Sequence, residues 1–442
     1  MSTTPTRMPT GRPTHIDVAV APGLTPRLLH ADRHAGEIED LTAYRRGGGY
    51  RPPGDPDTIL FEVEASGLRG RGGAGFPMGT KLRSVRDHGL RAGKAIVVAN
   101  GEEGEPASVK DRWLMRHRPH LILDGLRLAA AVVGAHRAHV YVSDQDAAAT
   151  MERALTDAVD LLGDLELSVL VVEPGYVSGE ETAAIRTING GPAKPTDKPP
   201  RPYEQGVDQM PTLVSNVETL AHIPYIAQHG GAAFRAIGTA TSPGTFLATV
   251  TGAGKPAVLY EIPHGYAITD LLALHGVTPR RVHGVLMGGY FGGLLNRDVL
   301  TGDLDHDSIR SLGGGIGCGA ISLLTDECPV AVAASVMSYF DRENAGQCGS
   351  CFNGTAAMSA VLDALRDGVA TEDDVARLRR WSVVLRGRGG CATLDAATNV
   401  AGTLLALFPD AVAAHRSAGC AACRVAPYRS LRPFAVENGD GL

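Results

Sequence analysis

Three kinds of residue in this 442-residue chain fall in patterns that can do chemistry: glycines interleaved with cations, clustered carboxylates and close-spaced cysteines. The segment SGLRGRGGAGFPMGTK (66–81) sets Arg69 and Lys81 among glycines, whose bare backbone N–H groups suit a phosphate or a flat ring. Gly70-x-Gly72-x-x-Gly75 matches the dinucleotide fingerprint in form. However, the stretch before it has helical spacing (Ile59, Leu60, Val63), and no acidic residue ends a second strand at the expected distance. NGEEGEP (100–106) concentrates carboxylates after a buried-strand pattern, where they can accept hydrogen bonds from ribose or ribityl hydroxyls. A solvated acidic loop is the plain alternative. YVSGEETA (176–183) repeats the Gly-Glu-Glu chemistry, and SNVETL (215–220) adds the Asn216 amide. Together these loops suggest a polyhydroxylated, phosphorylated cofactor.

The seven cysteines are an odd number, so a fully paired disulfide framework within one chain is excluded. Cys348-x-x-Cys351, Cys391 and Cys420-x-x-Cys423 leave two metal chemistries open. Zinc would need a closed tetrahedron, for instance 348, 351, 420 and 423, but the intervening helices make that gap long for a zinc ribbon. A [4Fe–4S] cluster accepts thiolates from scattered loops, and helix N-termini near Cys351 and Cys391 would favour its anionic core. The spacing favours the cluster. The histidines show no metal-ligand pairing in sequence.

The elements that must position these residues follow from periodicity. KAIVVAN (94–100), HRAHVYVS (136–143) and LELSVLVVEP (165–174) read as strands separated by helical stretches, which predicts an open parallel sheet with its ligands beyond the strands' carboxyl ends. Residues 175–235 read as loop-rich. TFLATVTG, AVLYEIP and GVLMGGYFGG around the helix AITDLLALHG suggest a small α+β module. Helical spacing over 329–341, 355–367, 372–386 and 395–408 predicts a bundle. The ends, 1–50 and 417–442, read as an arm and a loop-like tail. A net charge of −6 argues against nucleic acid as partner, and no apolar run is long enough for membrane insertion. No apolar segment follows Arg7 and Arg12, so the N-terminus does not read as a secretory signal, and a cytoplasmic protein is expected.

GLRGRGGAGFP, NGEEGEPASVKDR, SGEETA, SNVETLA and GQCGSC…GC, in this order over about residues 50–408, resemble the NADH-binding flavoprotein subunit of respiratory complex I and its soluble hydrogenase and formate dehydrogenase relatives. The resemblance implies an α/β architecture: a Rossmann-like FMN domain with a parallel sheet (51–235), a ubiquitin-like β-grasp module of the SLBB type (236–304) and a helical iron–sulfur domain (305–416). It implies hydride transfer from NAD(P)H to FMN, then single electrons through a [4Fe–4S] cluster to ferredoxin or another iron–sulfur acceptor protein. No residue acts as a general acid or base, because the chemistry is cofactor stacking. Carried over by position, Gly70, Gly72, Lys81, Asn100, Glu102, Glu103, Gly179, Glu180, Glu181, Ser215 and Asn216 hold FMN. Phe76, Glu105, Lys198 and Arg201 border the nicotinamide nucleotide. Two alternatives remain: a flavin and iron–sulfur enzyme fed by ferredoxin that reduces another substrate, or a cofactor-poor scaffold.

The chain departs from the family at identifiable positions. Ala345 stands where the family has the first cluster cysteine, so Cys348, Cys351 and Cys391 carry over; either a fourth ligand comes from elsewhere, with Cys318 as the first candidate, or the site holds an open iron or a three-iron cluster. Ser84 and Arg201 stand where the family commonly has aromatics around adenine, and Arg201 suits a 2′-phosphate.

Overall fold

The computed structural model describes residues 16–30, 37–417 and 419–436, so the N-terminal Arg7 and Arg12 lie outside it. Among the described residues ten strands form two sheets: β1 (Asp17–Val20), β2 (Ala95–Asn100), β3 (Ala135–Val142), β4 (Glu166–Val171), β5 (Thr212–Asn216), β6 (Thr245–Gly252), β7 (Val258–Pro263), β8 (Gly284–Met287), β9 (Leu294–Asn296) and β10 (Ala320–Leu324). The first sheet has the order β4-β3-β2-β5 and is parallel throughout, as the apolar runs predict. Helices Pro119–Val133 and Gln145–Asp157 make the crossovers. Pro119 sits in the first turn of its helix, where a missing N–H costs nothing. Residues 175–235 are more regular than their composition suggests, because they hold helix Glu181–Ile188, strand β5 and three short helices.

The second sheet, β1-β7-β6-β10-β8-β9, is mixed and carries helix Ile268–Leu274 on the module predicted from the β-like pieces. Two of its strands come from beyond the expected 236–304 boundary. Part of the presumed arm, β1, pairs in parallel with β7, and β10 lies between β6 and β8. Both are short segments without alternation, so long-range pairing rather than local pattern makes them strands.

The last third is helical: Pro329–Glu343, Gly349–Arg366, Glu372–Val384, Thr393–Leu407 and Pro409–Ser417 share one apolar core. Helix Gly349–Arg366 starts earlier than its apolar spacing indicates, with Cys348 as its N-cap residue. The tail is not simply loop-like. It forms helix Ala421–Val425 and folds back, with Val436 N–H donating to Pro106 O at 2.9 Å. Among the described residues no single helix is long and apolar enough to cross a membrane.

Candidate functional site

Helix Pro56–Ser66 ends at Gly67 in the left-handed conformation, and the chain turns into the glycine loop. Gly70 N–H donates to Phe76 O at 2.9 Å and Met78 N–H to Leu68 O at 2.8 Å, closing the loop on itself. Gly73 (φ 118°) holds a backbone angle that a side chain would strain, and a Cβ there would meet nothing within 4 Å, so this turn faces open space. Phe76, at the loop tip, is 53% exposed. Lys81 follows on the first turns of helix Met78–Ala92, its Nζ 3.1 Å from Glu181 Oε2.

The carboxyl ends of β2 and β5 bring the other loops to this one. Asn100 and Asn216 are register partners. Asn100 Nδ2 donates to Gly179 O at 2.8 Å, and its Oδ1 accepts Glu102 N–H at 3.2 Å. The glycines here allow backbone to pack on backbone: a Cβ on Gly104 would lie 2.8 Å from Gly175 O, and one on Gly179 would lie 3.0 Å from Glu102 O. Much of the glycine excess therefore serves contact between loops as well as open space for a ligand. Glu102 is buried, which raises its pKa, and its Oε2 has no hydrogen-bond partner among the described residues. A hydroxyl-bearing cofactor would satisfy that oxygen.

Other expected cofactor residues are already engaged. Glu103 accepts the N–H groups of Asp111 (3.2 Å) and Arg112 (3.1 Å) at the start of helix Lys110–His117, and the Ser108 hydroxyl, so it caps that helix. Glu180 is the N-cap of helix Glu181–Ile188 and accepts from the N–H groups of Thr182 and Ala183. Lys198, expected beside the nicotinamide nucleotide, pairs with Glu180 (2.8 Å) and Glu181 (3.1 Å). Ser215 is buried, with its hydroxyl 3.7 Å from Met78 Sδ rather than among the polar loops. Arg201 is exposed, and its backbone N–H donates to Glu204 at 2.7 Å. Glu105 accepts Tyr290 N–H at 2.9 Å and Ala107 N–H at 3.3 Å, and burial pushes its pKa up to about 7.

Sequence reasoning misses the charge network beneath these loops. Lys110 is fully buried, its Nζ 2.7 Å from Asp111 Oδ1, 2.9 Å from Glu218 Oε2 and 3.3 Å from Asn216 Oδ1. Burial alone would lower the Lys110 pKa, but the carboxylates of Asp111 and Glu218 hold it above its ordinary value. A signal for it exists: Lys110 and Asp111 lie in the NGEEGEPASVKDR string, and Glu218 lies two residues after Asn216.

The cysteines form two separate assemblies. Cys348, Cys351 and Cys391 line one cavity of about 500 Å³ together with Arg186, Asp197, Ala345 and Gln347. Gly390 N–H points at Cys348 Sγ at 3.2 Å, and Cys391 Sγ lies 3.4 Å from the Thr393 hydroxyl. Cys348 precedes helix Gly349–Arg366 and Cys391 lies just before helix Thr393–Leu407, so two helix N-termini lie beside this cavity and would favour an anionic group there. Burial and the neighbouring thiols push the Cys351 thiol up to about 12. The cavity fits a cluster at three corners, and the methyl of Ala345 cannot supply the fourth. Cys318 is not part of it: its Sγ lies 3.7 Å from Gly288 O, in a small cavity with Gly70, Arg71 and His264. Its loop is held by close backbone contacts between the 288 and 317 turns, which the sequence does not reveal.

The second assembly consists of Cys328, His415, Cys420 and Cys423, whose ligand atoms all lie within 4.8 Å of one another. Cys328 Sγ is 3.2 Å from His415 Nε2, and His415 Nδ1 donates to Leu365 O at 3.0 Å, which fixes the ring. Cys420 and Cys423 thus pair with Cys328 and His415, not with Cys348 and Cys351, and one histidine does join a metal-ligand set. A closed Cys₃His tetrahedron is a donor set of structural zinc. Helix Pro409–Ser417, at the tail of the domain, carries His415 to Cys328, a juxtaposition that sequence spacing hides.

Comparison with known proteins agrees with this geometry. Residues 63–225 match the family described as the Nuo51 FMN-binding domain, and residues 331–415 match the NADH-ubiquinone oxidoreductase-F iron–sulfur binding region. The chain is 34% identical over 380 residues to an NADH-quinone oxidoreductase subunit of Rhizobium meliloti (strain 1021), covering 81% of this chain and 90% of the relative. It is 31% identical to the NADP-reducing hydrogenase subunit HndC of Solidesulfovibrio fructosivorans, covering 81% of this chain and 76% of that one. A chain of an NAD+-reducing [NiFe]-hydrogenase in the H2-reduced state superposes with a TM-score of 0.76 at 32% identity, over 82% of this chain and 63% of that one. With an FMN-binding domain, an iron–sulfur binding region and this similarity over most of its length, the chain belongs to the family of FMN- and [4Fe–4S]-binding flavoprotein subunits of NADH dehydrogenases and NAD-reducing hydrogenases.

Proposed function

We propose that this protein oxidises NAD(P)H and delivers single electrons to a separate iron–sulfur protein, such as a ferredoxin or a partner subunit. The observation that carries this reading is the meeting of three polar loops at the carboxyl ends of β2 and β5, with the unpartnered Glu102 oxygen among them. When bound, FMN supplies hydride acceptance and release of single electrons, and the cluster supplies a one-electron path. Asn100 and Glu102 would hold the polyhydroxylated chain, with Asn216 behind them tied to Lys110 and Asp111; the glycine loop and Lys81 would hold the phosphate and ring, and exposed Phe76 would border the nicotinamide nucleotide. Helix Glu181–Ile188 links the two centres. Its first residue belongs to the cofactor loops and Arg186 lines the cysteine cavity, about 8 Å further along the helix axis.

The related chains' names, an NADH-quinone oxidoreductase subunit and a hydrogenase subunit, support a role inside a larger electron-transfer assembly. Stopped-flow mixing of anaerobically purified protein with NADH and with NADPH tests the reading. Rapid flavin bleaching with at least one nucleotide is expected. Flavin-loaded protein that bleaches with neither would overturn it.

A further inference from the structure

The cluster cavity lacks a fourth thiol, and the other four cysteines are unavailable to it: Cys318 lines a different cavity, and Cys328, Cys420 and Cys423 surround His415. Among the residues lining the cavity, Asp197 alone carries a carboxylate. A Cβ placed on Gly390 would lie 3.2 Å from Asp197 Oδ1 and 3.5 Å from Cys348 Sγ, so the carboxylate and the thiol face one small volume. The residues on either side of Asp197 are fixed. Thr196 N–H donates to the Thr182 hydroxyl at 2.9 Å, and Lys198 is held by Glu180 and Glu181. Gln347, on the cysteine loop, donates to Pro195 O at 2.8 Å and accepts from Arg186 at 3.0 Å, clamping the two loops together. Asp197 itself makes no hydrogen bond or ion pair among the described residues, whereas the carboxylates of Glu180 and Glu181 both do.

We propose that Asp197 replaces the lost cysteine and ligates the fourth iron of the cluster, so that the ligand set is Cys348, Cys351, Cys391 and Asp197. The proposal rests on reading the three-cysteine cavity as the cluster site. A carboxylate is a harder, less iron–sulfur-like ligand than a thiolate, so the iron it holds should be the most readily exchanged. Ligation needs only the ionised carboxylate in place of a solvent molecule on that iron, and no electron is transferred. The ligand set would then draw on both domains, three thiolates from the helical domain and one oxygen from the flavin domain.

The test is to quantify iron and sulfide, and to record EPR spectra, on the full chain purified without oxygen, alongside Asp197→Ala, Asp197→Asn and Asp197→Cys. About four irons per chain are expected for the parent. The Ala and Asn variants should fall to about three, with a three-iron EPR signal. Asp197→Cys should keep four and lose iron to a chelator at least tenfold more slowly than the parent. Asp197 is exposed, so circular dichroism should show all three variants folded. Ala and Asn variants with unchanged iron content and chelation rate would overturn the proposal. Cys391→Ala separates the two ideas. If it keeps a complete cluster, the cavity is not the cluster site and both readings fall. If it loses the cluster while Asp197→Ala does not, only the role of Asp197 falls.

Discussion

The Glu105 carboxylate accepts the backbone N–H of Tyr290 at 2.9 Å, so an acidic loop at the end of the flavin sheet is bonded to a turn of the second module. Gly289 leaves room for this contact, since a Cβ there would sit 2.5 Å from Glu105 Oε2. The Tyr290 hydroxyl donates to Pro433 O at 2.5 Å, and the tail closes over the same loop at Pro106. The acidic loop, this turn and the tail therefore meet around Glu105 and Pro106.

That convergence gives a pH dependence. Burial raises Glu105 from its ordinary value to about 7. The folded protein then binds a proton that the unfolded chain releases near pH 4.5, so this group's contribution to stability is full below that pH and is lost as pH rises through 7. Glu105→Gln should lose little stability at pH 5 and gain relative to the parent at pH 8. The difference between the two pH values should be about 2–3 kcal/mol, read from urea midpoints. A difference independent of pH would mean the carboxyl is not the titrating group.

Lys110 is the buried cation on which Asp111, Glu218 and Asn216 converge. Replacing it with methionine leaves two buried carboxylates unpaired, which costs about 3–5 kcal/mol. A lower denaturation midpoint and loss of bound flavin on gel filtration are expected. Retention of both would show that the network does not support the cofactor loops.

The Cys₃His set should bind one divalent ion apart from the cluster. Mass spectrometry of the native protein is expected to show about one zinc per chain. His415→Ala should abolish it while leaving iron content unchanged. Coincident loss of iron would instead tie the two sites together.

Arg201 is exposed and its backbone N–H is bonded to Glu204, and the family resemblance implies that it lies on the adenine side of the nucleotide. Arg201→Ala should raise KM for NADPH by about tenfold, the effect of losing one charge-assisted contact of roughly 1.4 kcal/mol, and leave KM for NADH within twofold. Equal changes for both nucleotides would remove Arg201 from 2′-phosphate recognition.

The parallel sheet, the bundle and the Cys348-x-x-Cys351 pair are legible in sequence because each is written locally, as apolar runs of strand length, helical spacing and a Cys-x-x-Cys next to a helix start; Cys391 joins that pair only through the family resemblance. β1 and β10 are not, since both become strands only by pairing with residues far away in the chain. His415 carries no local mark, because Cys328 reaches it across 87 residues. Asp197 reads as one polar residue in a proline-rich stretch until the clamp through Gln347 brings it to the cysteines. The resemblance implies cofactor roles for Lys198 and Glu103, and the sequence does not show that Lys198 also pairs with Glu180 and that Glu103 caps a helix.

The clamp made by Gln347 on Pro195 and Arg186 means that the cysteine cavity exists only where the helical domain is seated on the flavin domain. Inserting iron and sulfide is then also a vote for the docked arrangement, because any ligand that binds only the docked state stabilises it by mass action. Maturation of the centre would double as inspection: a chain whose two halves are misaligned could not hold its metal.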